Sequence, residues 1–353
     1  MLNDLLSKIS PLDAAAMEAA QKRLDGLTKP LGSLGKLEKI IVRLAGIGGT
    51  AAPKADKKAV VVMCADNGVV EEGVSSCPKE VTATVTRNFT RGITGINVFS
   101  RLTNSKLVIV DIGVDARLPY NVILNRKIRN GTANMAKGPA MAYEEAVKAI
   151  LTGVDIVRDL KAEGVNLLGT GEMGIGNTST SSAVSTVLTG TQADTMVGVG
   201  SGLSSAAYVN KINVIKKAIE INRPDPEDAV DVLAKVGGLD IAGLTGCFLG
   251  AAIYRIPIVI DGFISATAAL AATRLHSGTR EFMIPSHGSA EPGNASVMKA
   301  LDMEPMLNLD MRLGEGTGAA LGYQVIDAAI AAYTQMGTFD DAEIEQYVPQ
   351  EDK

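Results

Sequence analysis

The sequence predicts an α/β fold: three αβα layers around a mostly parallel, doubly wound sheet, with a small helical lobe made from the two chain ends. Three observations carry that expectation. Short continuous apolar runs alternate with helix-like segments, and strands buried on both faces of a parallel sheet read as such runs. Glycine is abundant, 37 of 353 residues, and gathers where an apolar run gives way to the next helix-like stretch. The chain is 46% hydrophobic and 21% charged, the balance of a packed globular protein rather than a disordered one.

In chain order, Ser10-Pro11 opens a first helix, with Ser as the cap and Pro at the first helical position, and Gly26 closes it. Leu34, Leu37, Ile41 and Leu44 recur at helical spacing and predict a second, amphipathic helix. The first strand is 59–65, which ends at Asp66-Asn67-Gly68. A helix from Pro78 follows, with Val81, Val85 and Phe89 on one face. Further strands are expected at 107–110, 166–168, 195–199, 256–260 and 282–284, and a helix at 265–275. Strands alternating with helices imply right-handed crossovers and a Rossmann-like sheet. Ligands then bind beyond the carboxyl ends of the strands. Asn222 to Asp228 reads as a surface turn between helices, and the acidic tail 340–353 as a solvated helix and end. The helix expected from Thr317 would join the N-terminal helices, so that 1–50 with 305–353 form the small lobe and 51–304 the large α/β domain.

Composition excludes several functions. The net charge is −5 with no long basic run, and Trp is absent among few aromatics. That suits neither phosphate-backbone binding nor base stacking, so no nucleic-acid partner is expected. Cys64, Cys77 and Cys247 are scattered and fit a reducing cytoplasm better than a disulfide framework or a zinc site. The N-terminus turns polar too early for a signal peptide. No apolar run approaches the roughly 20 residues that cross a bilayer. His276 and His287 are the only histidines, too few for a histidine-rich metal centre. A cytoplasmic protein with no membrane partner and no metal is expected.

Two glycine clusters carry the chemistry. Glu315 lies between Gly314 and Gly316, just ahead of the helix from Thr317. Glycine permits a tight turn and close ligand approach, and a helix N-terminus favours the ionised carboxylate that a general base requires. A capping Glu in a plain turn fits these residues equally well. The second cluster, residues 169–182, follows a strand and leads into a helix near Asn177 or Thr178. Gly174, Ile175, Gly176, Asn177 and Thr178 form an anion or phosphate cradle. Glu172 within it would repel a phosphate and is better aimed at another part of the ligand. The Ser-rich loop before Pro78 reads as a capping loop, His287 as a structural or binding histidine, and Lys211 as a surface lysine unless a phosphate lies in its reach. The Gly-x-Gly-x-x-Gly fingerprint after the first strand and the Walker pattern at Gly35-Lys36 are both missing. Asp261-Gly-Phe-Ile-Ser faintly resembles the loop of pyrophosphate-dependent phosphoribosyltransferases but lacks their second acidic residue.

Taken together, the blocks Thr28-Lys-Pro-Leu-Gly-Ser-Leu-Gly-Lys-Leu-Glu38, Ala65-Asp-Asn-Gly-Val, Gly73-Val-Ser, Gly171-Glu-Met-Gly-Ile-Gly-Asn-Thr178, Asp261-Gly-Phe, Ser289-Ala-Glu-Pro-Gly293 and Arg312-Leu-Gly-Glu-Gly-Thr-Gly318 resemble, in order and over nearly the whole chain, the nicotinate-nucleotide:dimethylbenzimidazole phosphoribosyltransferases of cobamide synthesis. The resemblance implies transfer of ribose 5-phosphate from nicotinate mononucleotide to an aromatic lower-ligand base, giving an α-ribotide by one inverting displacement. It assigns the general base to Glu315 and a supporting role to Glu172. Gly174, Ile175, Gly176, Asn177, Thr178, Lys211 and Ser289 would hold the ribose phosphate. Ser76, Cys77, Pro78, Val85, Leu313 and Gly314 would line the base pocket. It implies no cofactor and no metal, and a homodimer or a heterodimer with a paralogue, since some relatives attach phenolic ligands as heterodimers. The chain departs from the family pattern at Asn67 and Asn294, where His is common, and at Ser204-Ser205, where acidic residues are usual; Cys77 in the base pocket adds to the open question of base specificity. Two other readings compete: a dinucleotide-dependent oxidoreductase, and a non-catalytic partner subunit.

Overall fold

The computed structural model describes residues 2–198 and 202–346. Three helices open the chain: α1 (Leu2–Leu6), α2 (Ala14–Asp25) and α3 (Lys36–Gly48). Then come β1 (Lys58–Ala65), α4 (Val81–Arg91), α5 (Gly95–Leu102), β2 (Lys106–Gly113), the short β3 (Leu124–Asn125), α6 (Tyr143–Ala162) and β4 (Leu167–Met173). Helices α7 (Asn177–Thr189), α8 (Ala193–Met196), α9 (Ser205–Asn222), α10 (Ala229–Val236) and α11 (Leu239–Ile253) follow, with no intervening strand among the described residues. The chain ends with β5 (Ile258–Ile260), α12 (Phe263–Leu275), β6 (Met283–Pro285), β7 (His287–Gly288), α13 (Gly293–Leu301), β8 (Leu307–Asn308) and α14 (Thr317–Gln335).

Among the described residues the main sheet has six strands in the order β3-β2-β1-β4-β5-β6, and every pairing is parallel. This is the doubly wound α/β arrangement that the apolar runs predict. The direction of winding reverses between β1 and β4. In open parallel sheets that reversal leaves a crevice beyond the carboxyl ends, where ligands bind.

The alternation along β1 explains why its sequence is apolar throughout. Ala59, Val61, Met63 and Ala65 face one core with α6, α10, α11 and α12. Val60, Val62 and Cys64 face a second core with α2, α3 and α14. Both faces of the strand are therefore covered, and no position is left for a solvated side chain. α14 packs on both α3 and the sheet, where the buried Tyr323 donates its hydroxyl hydrogen to Ala59 O at 2.8 Å. The chain ends are tied by an isolated bridge between Leu27 and Thr338 and by Arg23 Nε donating to Tyr333 O at 3.1 Å.

Several expectations need correction. The first long helix starts at Ala14 with Asp13 as its cap, accepting from Ala16 N, rather than at Ser10-Pro11; an aspartate one turn further on offers the better N-cap. The helix expected from Pro78 begins at Val81, after a turn. The strand expected at 195–199 does not form: residues up to Met196 close α8, and Val199 lies outside the described residues. A short apolar run without flanking turns does not distinguish strand from helix. The strand expected at 166–168 runs on to Met173, so Gly169 and Gly171 are strand residues and not part of the turn. Residues 340–346 form turns and irregular chain instead of a helix, and 347–353 lie outside the described residues.

Candidate active site

A cavity of about 550 Å³ lies beyond the carboxyl ends of β4 and β5. Its walls bring together Glu172, Gly174, Ile175, Gly176, Asn177, Thr178, Ser289, Val85, Leu313, Gly314 and Glu315, residues that are separated by as much as 230 positions in the chain. Sequence reasoning named all of them. On the side expected to take the base, Ser75 joins Val85, Leu313 and Gly314 in the wall; Ser76, Cys77 and Pro78 do not line the cavity.

Glu315 sits on a backbone segment that local preference alone would not select. Gly314, Glu315 and Gly316 have φ of 82°, 62° and 92°, three successive left-handed residues. Two of them are glycine, which takes that conformation freely, while Glu315 bears a cost of about 1–3 kcal/mol. The segment is held from two sides. Asp261, just past β5, accepts hydrogen bonds from the main-chain N–H groups of Gly316 at 3.2 Å, Gly318 at 2.7 Å and Ala319 at 3.0 Å. It therefore caps α14 and anchors the turn at once. On the other side, Glu315 Oε2 accepts from Ile96 N at 3.1 Å, in the first turn of α5. The helix that favours its charge is thus α5, reached through space, whereas the sequence had suggested α14. Burial pushes the Glu315 carboxyl above the usual carboxylate range, opposed by the N–H groups of Ile96 and Gly95. A carboxylate raised in this way is a stronger base at neutral pH.

Glu172 is the penultimate residue of β4 and is buried. Burial, then the charge of Asp240, pushes its carboxyl up to about 8, while a hydrogen bond from Asn177 opposes the rise. Asn177 Nδ2 donates both to Glu172 Oε2 and to Asp240 Oδ2. The turn after β4 enters α7 at Asn177 with Gly176 as a left-handed cap. The turn and the first two residues of α7 line the cavity, and a helix N-terminus there favours an anion.

Lys211 is a correction to the surface reading: it is 1% exposed. Its Nζ donates to Thr178 Oγ1 at 2.8 Å and to Gly198 O at 3.3 Å, which places a cation directly behind the α7 N-terminus. Burial lowers its pKa to about 8, with Glu291 acting the other way. Glu291 is pushed up by burial and held down by Lys211 and Arg312; Glu291 and Arg312 also line the cavity.

Sequence reasoning did not give roles to Asp261, Asp240, Glu291 and Arg312. Asp261 was visible as an acidic residue after an apolar run, but its three bonds go to residues more than fifty positions away. Asp240 carried no local signal. His287, left as a structural or binding residue, lines the cavity with Nδ1 3.0 Å from Ser286 Oγ, and its charge is the largest influence opposing the upward shift that burial gives Asp261.

Comparison with known proteins identifies the family. A family model described as "Phosphoribosyltransferase" matches residues 9–344. The nicotinate-nucleotide–dimethylbenzimidazole phosphoribosyltransferase of Ruminiclostridium cellulolyticum is 62% identical over 99% of both chains. That of Acetivibrio thermocellus is 62% identical over 99% of this chain and 100% of its own. The crystal structure of the Thermus thermophilus enzyme of the same name superposes with a TM-score of 0.89 at 39% identity, covering 95% of this chain and 99% of that one. With identity this high across whole chains, the α/β sheet and its glutamate-lined crevice belong to a member of the nicotinate-nucleotide–dimethylbenzimidazole phosphoribosyltransferase family.

Proposed function

We propose that the chain transfers ribose 5-phosphate from nicotinate mononucleotide to an aromatic lower-ligand base of the 5,6-dimethylbenzimidazole type. A ring nitrogen of the base attacks C1′ of the ribose as the bond from C1′ to the nicotinate nitrogen breaks. The electron pair of that bond neutralises the pyridinium, and nicotinate leaves. Glu315 takes the N–H proton of the attacking base. A β-nucleotide donor and an α-ribotide product require one inversion, which a single displacement provides.

The observation that supports this most directly is the pairing of two features in one cavity. The α7 N-terminus, backed by the buried Lys211, offers a seat for the phosphate. Glu315, anchored to α5, faces the same space. Ser289, which lines the same cavity, would add a hydroxyl to the phosphate. Val85 and Leu313 give the base an apolar flank. Positioning and one general base can together supply many orders of magnitude in rate. The same reading takes the protein as cytoplasmic and as a dimer, either of one chain or with a paralogue. Exposed Ile93, Val98 and Leu102, on and beside α5, offer an apolar surface for such a contact. Among the described residues no helix is long and apolar enough to cross a membrane.

The test is to incubate purified protein with nicotinate mononucleotide and a panel of dimethylbenzimidazole, benzimidazole, adenine, phenol and p-cresol, and to read nicotinate release and product mass. Glu315→Gln should lower kcat by about 10²–10⁴ and leave nucleotide binding nearly intact. Full turnover in that variant would refute the general-base assignment.

A further inference from the structure

We infer that Asp240 is a positioning residue that keeps a proton on the Glu172 carboxyl, so that the cavity meets its anionic donor with a neutral acid. The inference rests on the reading of the donor as nicotinate mononucleotide, and it removes a difficulty in that reading. The donor carries a phosphate and a ring carboxylate. An ionised Glu172, one strand-end away from the phosphate seat, would repel both.

Four elements converge on this pair. Glu172 comes from the end of β4 and Asp240 from the first turn of α11. Asn177, the first residue of α7, stands between them and donates from one Nδ2 to both carboxyls, at 3.1 Å to Asp240 Oδ2. Asn67, beyond β1, closes the fourth side and is fully buried. The fit is close: a Cβ at Gly174 would fall 2.8 Å from Asp240 Oδ2 and 2.9 Å from Asn67 Nδ2.

The other groups facing Glu172 do not change the sign of its environment. Asp261, beyond β5, adds a second negative charge. The loop ahead of α14 contributes a main-chain N–H from Glu315. Cys64, on β1 but turned to the other face of the sheet, is a thiol that burial holds protonated. Two carboxyls that share one bridging amide favour holding one proton between them.

The fold also decides which carboxyl is charged. Asp240 lies in the first turn of a fifteen-residue helix, where the helix dipole favours an anion, and its Oδ1 accepts from Ile241 N at 3.0 Å. Glu172 is bonded to the α7 N-terminus only through the Asn177 side chain, and its one main-chain donor is Glu315 in the loop ahead of α14. Burial raises both, Asp240 to about 6 and Glu172 to about 8, in the same order. At neutral pH the pair is therefore Asp240 ionised and Glu172 protonated. Glu172 is then a hydrogen-bond donor to the nucleotide, not a charge.

The test measures kcat/KM for nicotinate mononucleotide against pH in the full chain, as wild type, Asp240→Asn, Glu172→Gln and the double variant. The phosphate of the substrate titrates near pH 6 and affects the acid limb of all four alike. The wild type should lose kcat/KM above about pH 8, through a rising KM. Asp240→Asn should move that limb down by about one pH unit or more. Lys211, whose pKa burial lowers to about 8, contributes a basic limb of its own in all four, so Glu172→Gln should keep only that part, and adding Asp240→Asn to it should move nothing further. An unchanged limb in Asp240→Asn, or an equal shift in the Glu172→Gln background, would overturn the inference. A second readout does not use turnover: the infrared band of a buried protonated carboxyl. It should be present in the wild type at pH 7, absent in Glu172→Gln and weakened in Asp240→Asn. Its absence from the wild type at pH 7 would overturn the inference even where no variant folds. A wild type that consumes no nicotinate mononucleotide at any pH would refute the functional reading instead, and the infrared band would still decide the protonation of Glu172.

Discussion

Asp261→Ala separates the catalytic turn from the chemistry it supports. Asp261 accepts three main-chain hydrogen bonds, from Gly316, Gly318 and Ala319, at the start of α14. An alanine there leaves three donors without a protein partner. Each unsatisfied buried donor costs about 1–3 kcal/mol; water entering through the cavity recovers part of this, so the loss should be about 4 kcal/mol. For 353 residues, an unfolding entropy of roughly 2.1 cal/mol/K per residue turns that loss into a fall in Tm of about 5 °C. Asp261→Asn should fall in between. It can keep Oδ1 on Gly318 N and Ala319 N, but it turns an amide NH₂ toward Gly316 N, so about 1–2 kcal/mol is expected. Activity should fall further than stability explains. With its anchor gone, the left-handed segment at 314–316 can relax, and a displacement of about 1 Å in Glu315 costs on the order of 100-fold in kcat. Thermal denaturation and steady-state kinetics on the same preparations decide the matter. An alanine variant within about 1 kcal/mol of wild type and within twofold in kcat, on the scale of an ordinary surface substitution, would refute the anchoring role.

Three other substitutions probe separate parts of the structure. Lys211→Met should raise the KM for nicotinate mononucleotide by about tenfold or more with a smaller effect on kcat, because it removes a cation from behind the phosphate seat at Thr178; an unchanged KM would place the phosphate elsewhere. Gly314→Ala puts a Cβ against Glu172 Oε1 at a φ of 82°, so it should lower kcat at least tenfold while the rest of the fold survives; wild-type kinetics would show the turn to be more adaptable than its packing indicates. Lys29 and Glu38 form a buried ion pair at 2.8 Å, and Leu34 N also donates to Glu38 at 3.0 Å. Lys29→Met alone should cost about 3–5 kcal/mol in denaturant unfolding, while Lys29→Met with Glu38→Leu should recover much of that loss; a single variant as stable as the double would refute the pairing.

The parts of the fold legible in the sequence are those set by local pattern. β1 could be read because both of its faces are buried, so every position along it is apolar. At Glu315 the two flanking glycines marked the turn, whose left-handed backbone the structure shows, but they fitted a capping residue equally well, and only the family resemblance assigned the base there. What failed to show depended on partners distant in the chain. Gly169 and Gly171 look like a turn until β1 and β5 are seen to pair with them. Lys211 looks like a surface residue until Thr178 and Gly198 close over it. Residues 195–199 are apolar enough for a strand, yet the core offers the first of them a place on a short helix.

The same contrast identifies the site. Glu172, Asp240 and Asp261 are buried carboxyls, each unfavourable by itself, and Glu315 holds a conformation that its own side chain disfavours. Deviations from local preference that meet in the wall of one cavity or directly behind it mark the place where stability has been given up for chemistry. Packing alone would not keep three buried carboxyls there. Asp261 is retained because it caps α14, and Asp240 because it lies at the α11 N-terminus; each gains from a helix end what it loses by leaving water. Glu172 accepts no main-chain N–H from a helix end and is tolerated as the protonated member of its pair. The cavity can therefore be rich in acidic residues and still admit a substrate that is itself an anion.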